Sequence, residues 1–248
     1  MKIAVAGGTG TVGRHVVDAV RFAGHEPLVL SRSTGTDLLT GQGLATSLHG
    51  AAAVIDVSAT SSTSGAESVR FFGTVTRNLR EAERQAGVQH HVALSVVGAR
   101  KVNANYYAGK AVQEQLLHEQ ASGWSLLRAT QFHEFAMQLL EHGKLGPLQI
   151  VPTMRSQPVA ATEVAAELVE IALGDPRGLE PDLAGPQEEN MADLARRYLA
   201  ATNRPGTVLQ MALPGAWGRG MRDGSLLPES GTRLGSQTFD EWLECAVQ

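Results

Sequence analysis

Cysteine is almost absent from this 248-residue chain, which carries a single thiol, Cys245. One thiol excludes an intrachain disulfide, and cysteine-poor chains are typical of a reducing compartment, so we expect a cytoplasmic protein. Long apolar runs are missing too, since none approaches the ~20 residues that a membrane-spanning helix needs. The few residues before the first glycines do not form a signal peptide. We therefore expect no membrane partner.

An excess of positive charge is also missing. The chain has 21 Lys and Arg against 25 Asp and Glu, which gives a formal net charge of −4. Nucleic-acid-binding domains usually carry a basic face, so we expect no nucleic-acid partner. The adjacent His90 and His91 point to opposite faces of a predicted strand, and no metal site is expected. The expected partner is a small-molecule substrate, bound by a monomer or a homodimer.

Glycine, by contrast, is concentrated at one place, the cluster Gly7-Gly8-Thr9-Gly10-Thr11-Val12-Gly13. An apolar strand over 2–6 precedes it, and valines at helical spacing follow over 11–23. Strand, glycine turn and helix in this order favour a dinucleotide-binding site. Glycine lets backbone N–H groups approach a pyrophosphate, which then lies at the positive end of the helix dipole. The expected cofactor contacts are Gly7, Thr9, Gly10, Thr11, Val12 and Gly13.

Strands and helices alternate along the rest of the chain. This alternation predicts an α/β fold, a Rossmann-type doubly wound parallel sheet. We predict one domain over 1–248, with a dinucleotide-binding core over 1–145 and a smaller C-terminal substrate-covering lobe over 146–248, interwoven with the core. Strands are predicted at 27–30, 53–57, 91–95, 124–127 and 148–151. Helices are predicted at 42–48, 67–86, 105–120, 132–140, 162–173 and 191–201, and near Phe239.

The end of the second strand indicates which nicotinamide cofactor is bound. NAD sites usually place an Asp or Glu there, but this strand ends in Ser31-Arg32-Ser33. A guanidinium and two hydroxyls suit a 2′-phosphate, so we expect NADP(H). In the next loop, Asp37 could accept the adenine amino group with Leu38 packed on the ring, or it could cap a short turn. Because open α/β sheets bind ligands at the carboxyl ends of their strands, the third strand is expected to contribute Val57, Ser58 and Ala59.

Ser95, Tyr106 and Lys110 form the candidate catalytic group. Ser95 ends the fourth strand, and Tyr106 and Lys110 are four residues apart, hence on one face of the predicted helix. A lysine cation beside a phenol lowers the pKa of the tyrosine, which makes Tyr106 a proton donor near neutral pH. Lys110 can also hold the ribose hydroxyls of the cofactor, and Ser95 is expected to orient the substrate oxygen. Tyr107, three residues before Lys110, is an alternative donor.

The segment 127–132, Leu-Arg-Ala-Thr-Gln-Phe, completes a set of motifs that includes 7–13, 31–32, 94–98, and Tyr106 with Lys110. This set resembles the NmrA-like, NAD(P)H-binding group of atypical short-chain dehydrogenases/reductases, over about residues 2–199. In that family the strand end near residue 130 passes beside the nicotinamide. The resemblance therefore implies that Thr130, Gln131 and Phe132 line the active site.

The motifs and the resemblance favour an NADPH-dependent oxidoreductase that transfers a hydride to a small carbonyl, quinone or enone. Two alternatives stay open. One is a redox-sensing regulator that binds NADP(H) without turnover, as some members of the NmrA-like group do. The other is an isomerase or epimerase that retains its nucleotide throughout the reaction.

Overall fold

The computed structural model describes residues 1–121 and 123–247, and they form two compact units. The first unit comprises Met1–Arg128 and Thr162–Pro181, and the second comprises Ala129–Ala161 and Asp182–Gln248. The predicted boundary between 145 and 146 therefore differs from the division that the structure shows. The difference arises because the helix that begins at Ala161 belongs, from Thr162 onward, to the first unit.

The first unit is built on a sheet whose strands lie in the order β5-β4-β3-β1-β2. β1 pairs in parallel with β2 and β3, and β3 pairs in parallel with β4. A two-residue strand, β9, pairs in parallel with β5. The strand bounds are β1 Lys2–Ala6, β2 Glu26–Leu30, β3 Ala51–Asp56, β4 His90–Val96, β5 Trp124–Ala129 and β9 Gly178–Leu179.

Both faces of this sheet are covered. Neighbouring residues of a strand point to opposite faces, yet Ile3, Ala4, Val5 and Ala6 are all fully buried. Burial on two sides is the reason these strands read as continuous apolar runs. The predicted Rossmann-type fold is confirmed. Helices of the first unit are α1 Thr11–Phe22, α2 Leu44–Ser47, α3 Gly65–Ala86, α4 Ala99–Val102, α5 Tyr106–His118 and α7 Ala161–Leu173, with a 3₁₀ turn at Arg32–Thr34.

The packing of α5 against α3 depends on Gly109. A Cβ atom at this position would lie 2.3 Å from Ser68 Oγ and 2.6 Å from Phe72 Cδ2. The missing side chain therefore lets the two helices approach closely. α3 itself begins at a Ser64 cap and ends before Gly87, which adopts the left-handed conformation.

The second unit contains short strands and helices. β12 pairs in parallel with β7, β7 pairs antiparallel with β6, and β8 pairs antiparallel with β11. β10 pairs in parallel with Ala129 and with β13. The strands are β6 Lys144–Leu145, β7 Leu148–Pro152, β8 Arg155–Ser156, β10 Leu183–Ala184, β11 Glu189–Asn190, β12 Thr207–Met211 and β13 Arg233–Leu234. The helices are α6 Phe135–His142, α8 Met191–Ala201, α9 Gly215–Arg222 and α10 Phe239–Ala246.

The predicted elements of the first 130 residues agree with the structure to within a few residues. The helix predicted at 132–140 begins later, at Phe135, because Phe132 forms a bridge with Val159. The sequence pattern missed α4, α9, the five-residue strand β12 and all six two-residue strands, β6, β8, β9, β10, β11 and β13. Within the described residues, no helix combines the length and apolar character that a membrane span requires.

Substitution of Gly109 tests the close approach of α3 and α5. Gly109→Ala adds a methyl group where Ser68 and Phe72 leave no space, so the free energy of unfolding should fall by roughly 1–3 kcal/mol. Urea denaturation measures it. Gly73→Ala is the matched control, because its Cβ would meet only the flexible Arg77 guanidinium at 3.3 Å and Val112 at 3.5 Å. Equal effects of the two substitutions would contradict the packing argument.

Candidate active site

The glycine turn after β1 admits no side chain at two of its positions. Gly7 has a φ of +81°, and a Cβ there would lie 2.8 Å from Ser58 Cα and from the Val57 carbonyl oxygen. A Cβ at Gly13 would lie 2.0 Å from the Gly7 carbonyl oxygen. That oxygen also accepts a hydrogen bond from the Gly10 N–H at 2.9 Å. Gly7, Gly10 and Gly13 therefore form one compact turn.

Helix α1 begins directly behind this turn without a side-chain cap. Gly10 is its N-cap residue, and the first turn contains no acidic residue. The first N–H groups of a helix have no acceptor within the helix, and the helix dipole makes this end positive. Thr9 and Gly10 are exposed and Thr11 is half-buried. The turn therefore offers backbone N–H groups to an anion, as the phosphate of a dinucleotide requires.

Ser58 adds a second observation at the same place. Its side chain is only 3% exposed, and its hydroxyl has no hydrogen-bond partner among the described residues. A buried hydroxyl without a partner is destabilising unless something binds it. The Ser58 backbone lies against Gly7, and the next residue, Ala59, is exposed. Of the predicted cofactor residues, Val57 and Ser58 thus border the glycine turn, and Ala59 follows them in the chain.

The end of β2 presents Arg32 to solvent. Arg32 is exposed, and no hydrogen bond or ion pair of its guanidinium is found in 1–121 and 123–247. The Ser31 hydroxyl lies 2.9 Å from the Ser33 hydroxyl, and Ser31 and Thr34 cap the 3₁₀ turn. The guanidinium can therefore reach an added phosphate without breaking an existing contact.

Asp37 caps a turn, which is one of its two predicted roles. Its Oδ1 atom accepts hydrogen bonds from the N–H groups of Leu39 at 2.8 Å and Thr40 at 3.2 Å. Leu38 is half-buried and packs against the core formed by β1, β3 and α3. A contact of Asp37 or Leu38 with an adenine ring stays a prediction.

Lys110 is buried at the end of β4, with 4% of its surface exposed. Its Nζ donates to the Leu94 carbonyl oxygen at 2.7 Å and to Gln113 Oε1 at 2.9 Å. The Phe72 ring covers it, with its centroid 4.2 Å from Nζ. Burial lowers the pKa of Lys110 from 10.5 to about 8, against the opposing effects of the Asp56 and Glu114 carboxylates. An ammonium has three donors, so two internal bonds leave one for a ligand.

Tyr106 lies one helical turn before Lys110 and is half-buried, with its ring 5.3 Å from that of Phe72. Burial raises the pKa of its phenol, and Tyr107 and Asp56 raise it further. The predicted lowering of this pKa by Lys110 is therefore wrong. The reason is that the Lys110 ammonium is bound to Leu94 and Gln113, while burial of the phenol disfavours the phenolate. Tyr106 can donate a proton, but from a fully protonated phenol.

Ser95 has a different partner from the one expected. Its hydroxyl donates to Glu114 Oε1 at 2.6 Å, and Ser95 and Glu114 are both buried. Arg128 holds the same carboxylate through bonds of 2.8 and 2.6 Å. The only proton of the Ser95 hydroxyl is thus used, so Ser95 does not donate to a substrate oxygen in this arrangement. The expectation that Ser95 orients the substrate is corrected accordingly.

Three polar residues around this group were missed as site residues: Asp56, Gln113 and Glu114. Gln113 and Glu114 lie three and four residues after Lys110, a spacing that places them on its side of the helix. Asp56, a carboxylate inside an apolar strand, carried a signal of its own, because a buried charge needs partners. Among the described residues, no three His, Cys, Asp or Glu side chains are grouped to hold a metal ion.

The predicted active-site residues of segment 130–132 belong to the second unit. The Thr130 hydroxyl donates to the Gln157 carbonyl oxygen at 2.6 Å, and Gln131 Oε1 accepts from the Ser156 hydroxyl at 2.7 Å. Thr130 and Gln131 are buried, whereas Phe132 is half-buried. These bonds hold the segment within its own unit. Contact of Thr130, Gln131 or Phe132 with a cofactor stays a prediction.

Comparison with known proteins shows the fold. No family model and no curated protein matched the chain. Among solved structures, a short-chain dehydrogenase/reductase superfamily protein from Agrobacterium tumefaciens with bound NAD is 21% identical, over 100% of this chain and 96% of that chain, with a TM-score of 0.68. The NADPH-dependent quinone oxidoreductase QOR2 of Escherichia coli, complexed with NADPH, is 17% identical over 99% of this chain and 100% of that chain, with a TM-score of 0.72. A UDP-glucose 4-epimerase from Thermotoga maritima is 15% identical over 100% of this chain and 97% of that chain, with a TM-score of 0.71.

The pH dependence of stability tests the burial of Lys110. Its folded-state pKa of about 8 lies below the ordinary 10.5, so the unfolded chain binds more protons between these values. The free energy of unfolding of the wild type, minus that of Lys110→Met, should therefore rise by about 3 kcal/mol from pH 8 to pH 10.5. Urea denaturation of both proteins across this range measures the difference. A difference that does not change with pH would contradict the buried, easily deprotonated lysine.

Proposed function

We propose that this protein is an NADPH-dependent oxidoreductase of the atypical short-chain dehydrogenase/reductase kind. The observation that carries the proposal is the side-chain-free turn of Gly7, Gly10 and Gly13 before an uncapped helix, in the same unit as Tyr106 and the buried Lys110. The partnerless Ser58 hydroxyl beside that turn supports a ligand there. The substrate class we favour is a small carbonyl, quinone or enone. The motifs at 94–98 and 127–132 support membership of the NmrA-like subfamily.

Three groups would hold the cofactor. The N–H groups at the start of α1 would bind the pyrophosphate, as anions bind at helix N-termini. The exposed Arg32 would bind the 2′-phosphate, because a guanidinium is suited to phosphate oxygens. The remaining donor of Lys110 would bind a ribose hydroxyl. The free Arg32 supports NADPH over NADH, since no carboxylate at the end of β2 is available for a 2′-hydroxyl.

The chemistry assigned to the chain's own residues is proton transfer. A bound NADPH would supply a hydride to the electrophilic carbon of the substrate. Tyr106 would donate the phenolic proton to the oxygen that gains the electron pair, which completes the reduction, and would take up a proton from water afterwards. Lys110, charged below a pH of about 8, would hold the ribose hydroxyl through its remaining N–H donor. Ser95 would take no part in this step, because its hydroxyl donates to Glu114.

A retained-nucleotide epimerase is the second candidate. Nucleotide-sugar epimerases are among the solved structures with the same fold, including one from Thermotoga maritima. Such an enzyme keeps its nucleotide, so cofactor would copurify with the protein and no net NADPH would be consumed. A redox-sensing regulator would bind oxidised and reduced cofactor with different affinities and would turn over no substrate.

Cofactor preference is tested with Arg32→Ala. Loss of a charge-assisted phosphate contact is expected to weaken NADPH binding about 10- to 100-fold while NADH binding changes little. Calorimetry on both cofactors measures it. Arg21→Ala is the control, because Arg21 is also exposed but lies at the far end of α1, paired with Asp18. Equal weakening of NADPH and NADH by Arg32→Ala would refute the assignment.

The proton-donor role is tested with Tyr106→Phe. NADPH oxidation on a panel of carbonyls, quinones and enones should fall roughly 10²- to 10⁴-fold for substrates that need a proton in the transition state. Wild-type kcat/KM should also decline as pH rises through about 8, where Lys110 loses its charge. Tyr198→Phe is the control, since Tyr198 stacks on Trp242 in the second unit. Loss in Tyr107→Phe with full activity in Tyr106→Phe would assign the donor to Tyr107 instead.

A further inference from the structure

A buried polar chain connects Lys110 to the strand beside the glycine turn. Lys110 Nζ donates to Gln113 Oε1 at 2.9 Å, and Gln113 Nε2 donates to Asp56 Oδ2 at 2.9 Å. The other carboxylate oxygen of Asp56 accepts the Ser58 N–H at 2.9 Å. Asp56 and Gln113 have no exposed surface. The ammonium and the carboxylate therefore form a buried charge pair with one amide between them.

The amide of Gln113 has only one favourable orientation. Its oxygen faces an ammonium, which can only donate, and its NH₂ group faces a carboxylate, which can only accept. A flipped amide would place its NH₂ group against the ammonium and its oxygen against the carboxylate. Both contacts would be repulsive inside a dry core, where such mismatches are costly. The charge of Asp56 thus fixes the amide, and the amide fixes the ammonium.

Among the described residues, the other groups that the structure places near Lys110 are bound elsewhere or are uncharged. Phe72 from α3 presents an aromatic face, and β4 presents the Leu94 carbonyl. On α5, Tyr106 carries a neutral phenol, and Glu114 is bound by Ser95 and Arg128. Asp56 is therefore the carboxylate that reaches Lys110 through a hydrogen-bonded path.

We propose that Gln113 and Asp56 are positioning residues, which hold the Lys110 ammonium in place and keep it charged. The proposal rests on the proposed function for the value of that charge in reduction, but the positioning itself is a property of the free protein. Asp56 acts through Gln113, and Gln113 acts through its bond to Nζ. The same carboxylate anchors the Ser58 backbone beside Gly7, so one residue orders both the cofactor turn and the lysine.

NMR titration of the lysine side chains in the protein without cofactor tests this directly. The chain has four lysines, Lys2, Lys101, Lys110 and Lys144, and the spectrum of Lys110→Met assigns the buried one. In Asp56→Asn the new amide turns Gln113 around and points its NH₂ group at Nζ. The pKa of Lys110 should therefore fall from about 8 by one unit or more, a tenfold loss of proton affinity.

A charge exchange separates positioning from a merely structural role. In the double variant Asp56→Asn with Gln113→Glu, the carboxylate moves next to Nζ and accepts from both Lys110 and the amide that Asp56→Asn introduces. The pKa of Lys110 should then rise above about 8, because a carboxylate in direct contact with Nζ favours the charged ammonium more than one held an amide away. Thr76→Val is the control, since it removes a buried 2.7 Å hydrogen bond of α3 and should leave the Lys110 titration unchanged. If Asp56→Asn does not fold, the double variant still decides the question, because a Lys110 pKa no higher than that of the wild type would contradict the proposal.

A folded Asp56→Asn with an unchanged Lys110 titration would overturn the proposal, as would a double variant in which the pKa of Lys110 does not rise above that of the wild type. The titration involves neither substrate nor cofactor. A shifted Lys110 pKa in a protein without any turnover would therefore retain the positioning roles and reject the oxidoreductase. In an active enzyme, the basic limb of the kcat/KM profile should move to lower pH by about one unit in Asp56→Asn, which corresponds to the same tenfold loss of proton affinity.

Discussion

Burial of the Lys110 ammonium is the constraint on which the first unit depends. A charge out of water needs acceptors, and the fold supplies them from a carbonyl of β4, an amide of α5 and, one bond further, a carboxylate of β3. These groups meet because Gly109 lets α5 approach α3 closely, which also brings the Phe72 ring over the ammonium. Packing and electrostatics are therefore not separable here, since a displaced helix would leave a buried charge without partners.

The second requirement is backbone that no side chain obstructs. Gly7 and Gly13 permit a turn so tight that a methyl group at either position would collide with backbone atoms. The first N–H groups of α1 lie at this turn, and so does Ser58, whose hydroxyl has no hydrogen-bond partner among the described residues. The two features share a residue, because Asp56 binds both the Ser58 N–H and Gln113. Asp56, at the end of β3, thus links the proposed anion site to Lys110.

Local patterns predicted the fold and part of the site. The glycine turn, β1 and α1 were predictable because strand, turn and helix are adjacent in sequence. Tyr106 and Lys110 were predictable as a pair because helical spacing places them on one face.

Contacts between distant segments were not predictable. Asp56 and Gln113, which are hydrogen-bonded, are 57 residues apart. Ser95 donates its hydroxyl proton to Glu114, 19 residues away, and not to a substrate as predicted. The pKa of Tyr106 was predicted with the wrong sign because burial, which depends on packing, outweighs a neighbouring cation. The structure divides the chain differently from the predicted core and lobe, because α7 belongs to the first unit from Thr162 onward.

The central claim is that the glycine turn and Arg32 together bind a phosphorylated nicotinamide cofactor. The most direct measurement is calorimetric titration of the purified protein with NADPH, NADP⁺, NADH and NAD⁺ under one set of conditions. The account predicts saturable binding of NADPH with one site per chain and at least tenfold weaker binding of NADH. Absence of binding for all four forms, or preference for the unphosphorylated pair, would contradict it.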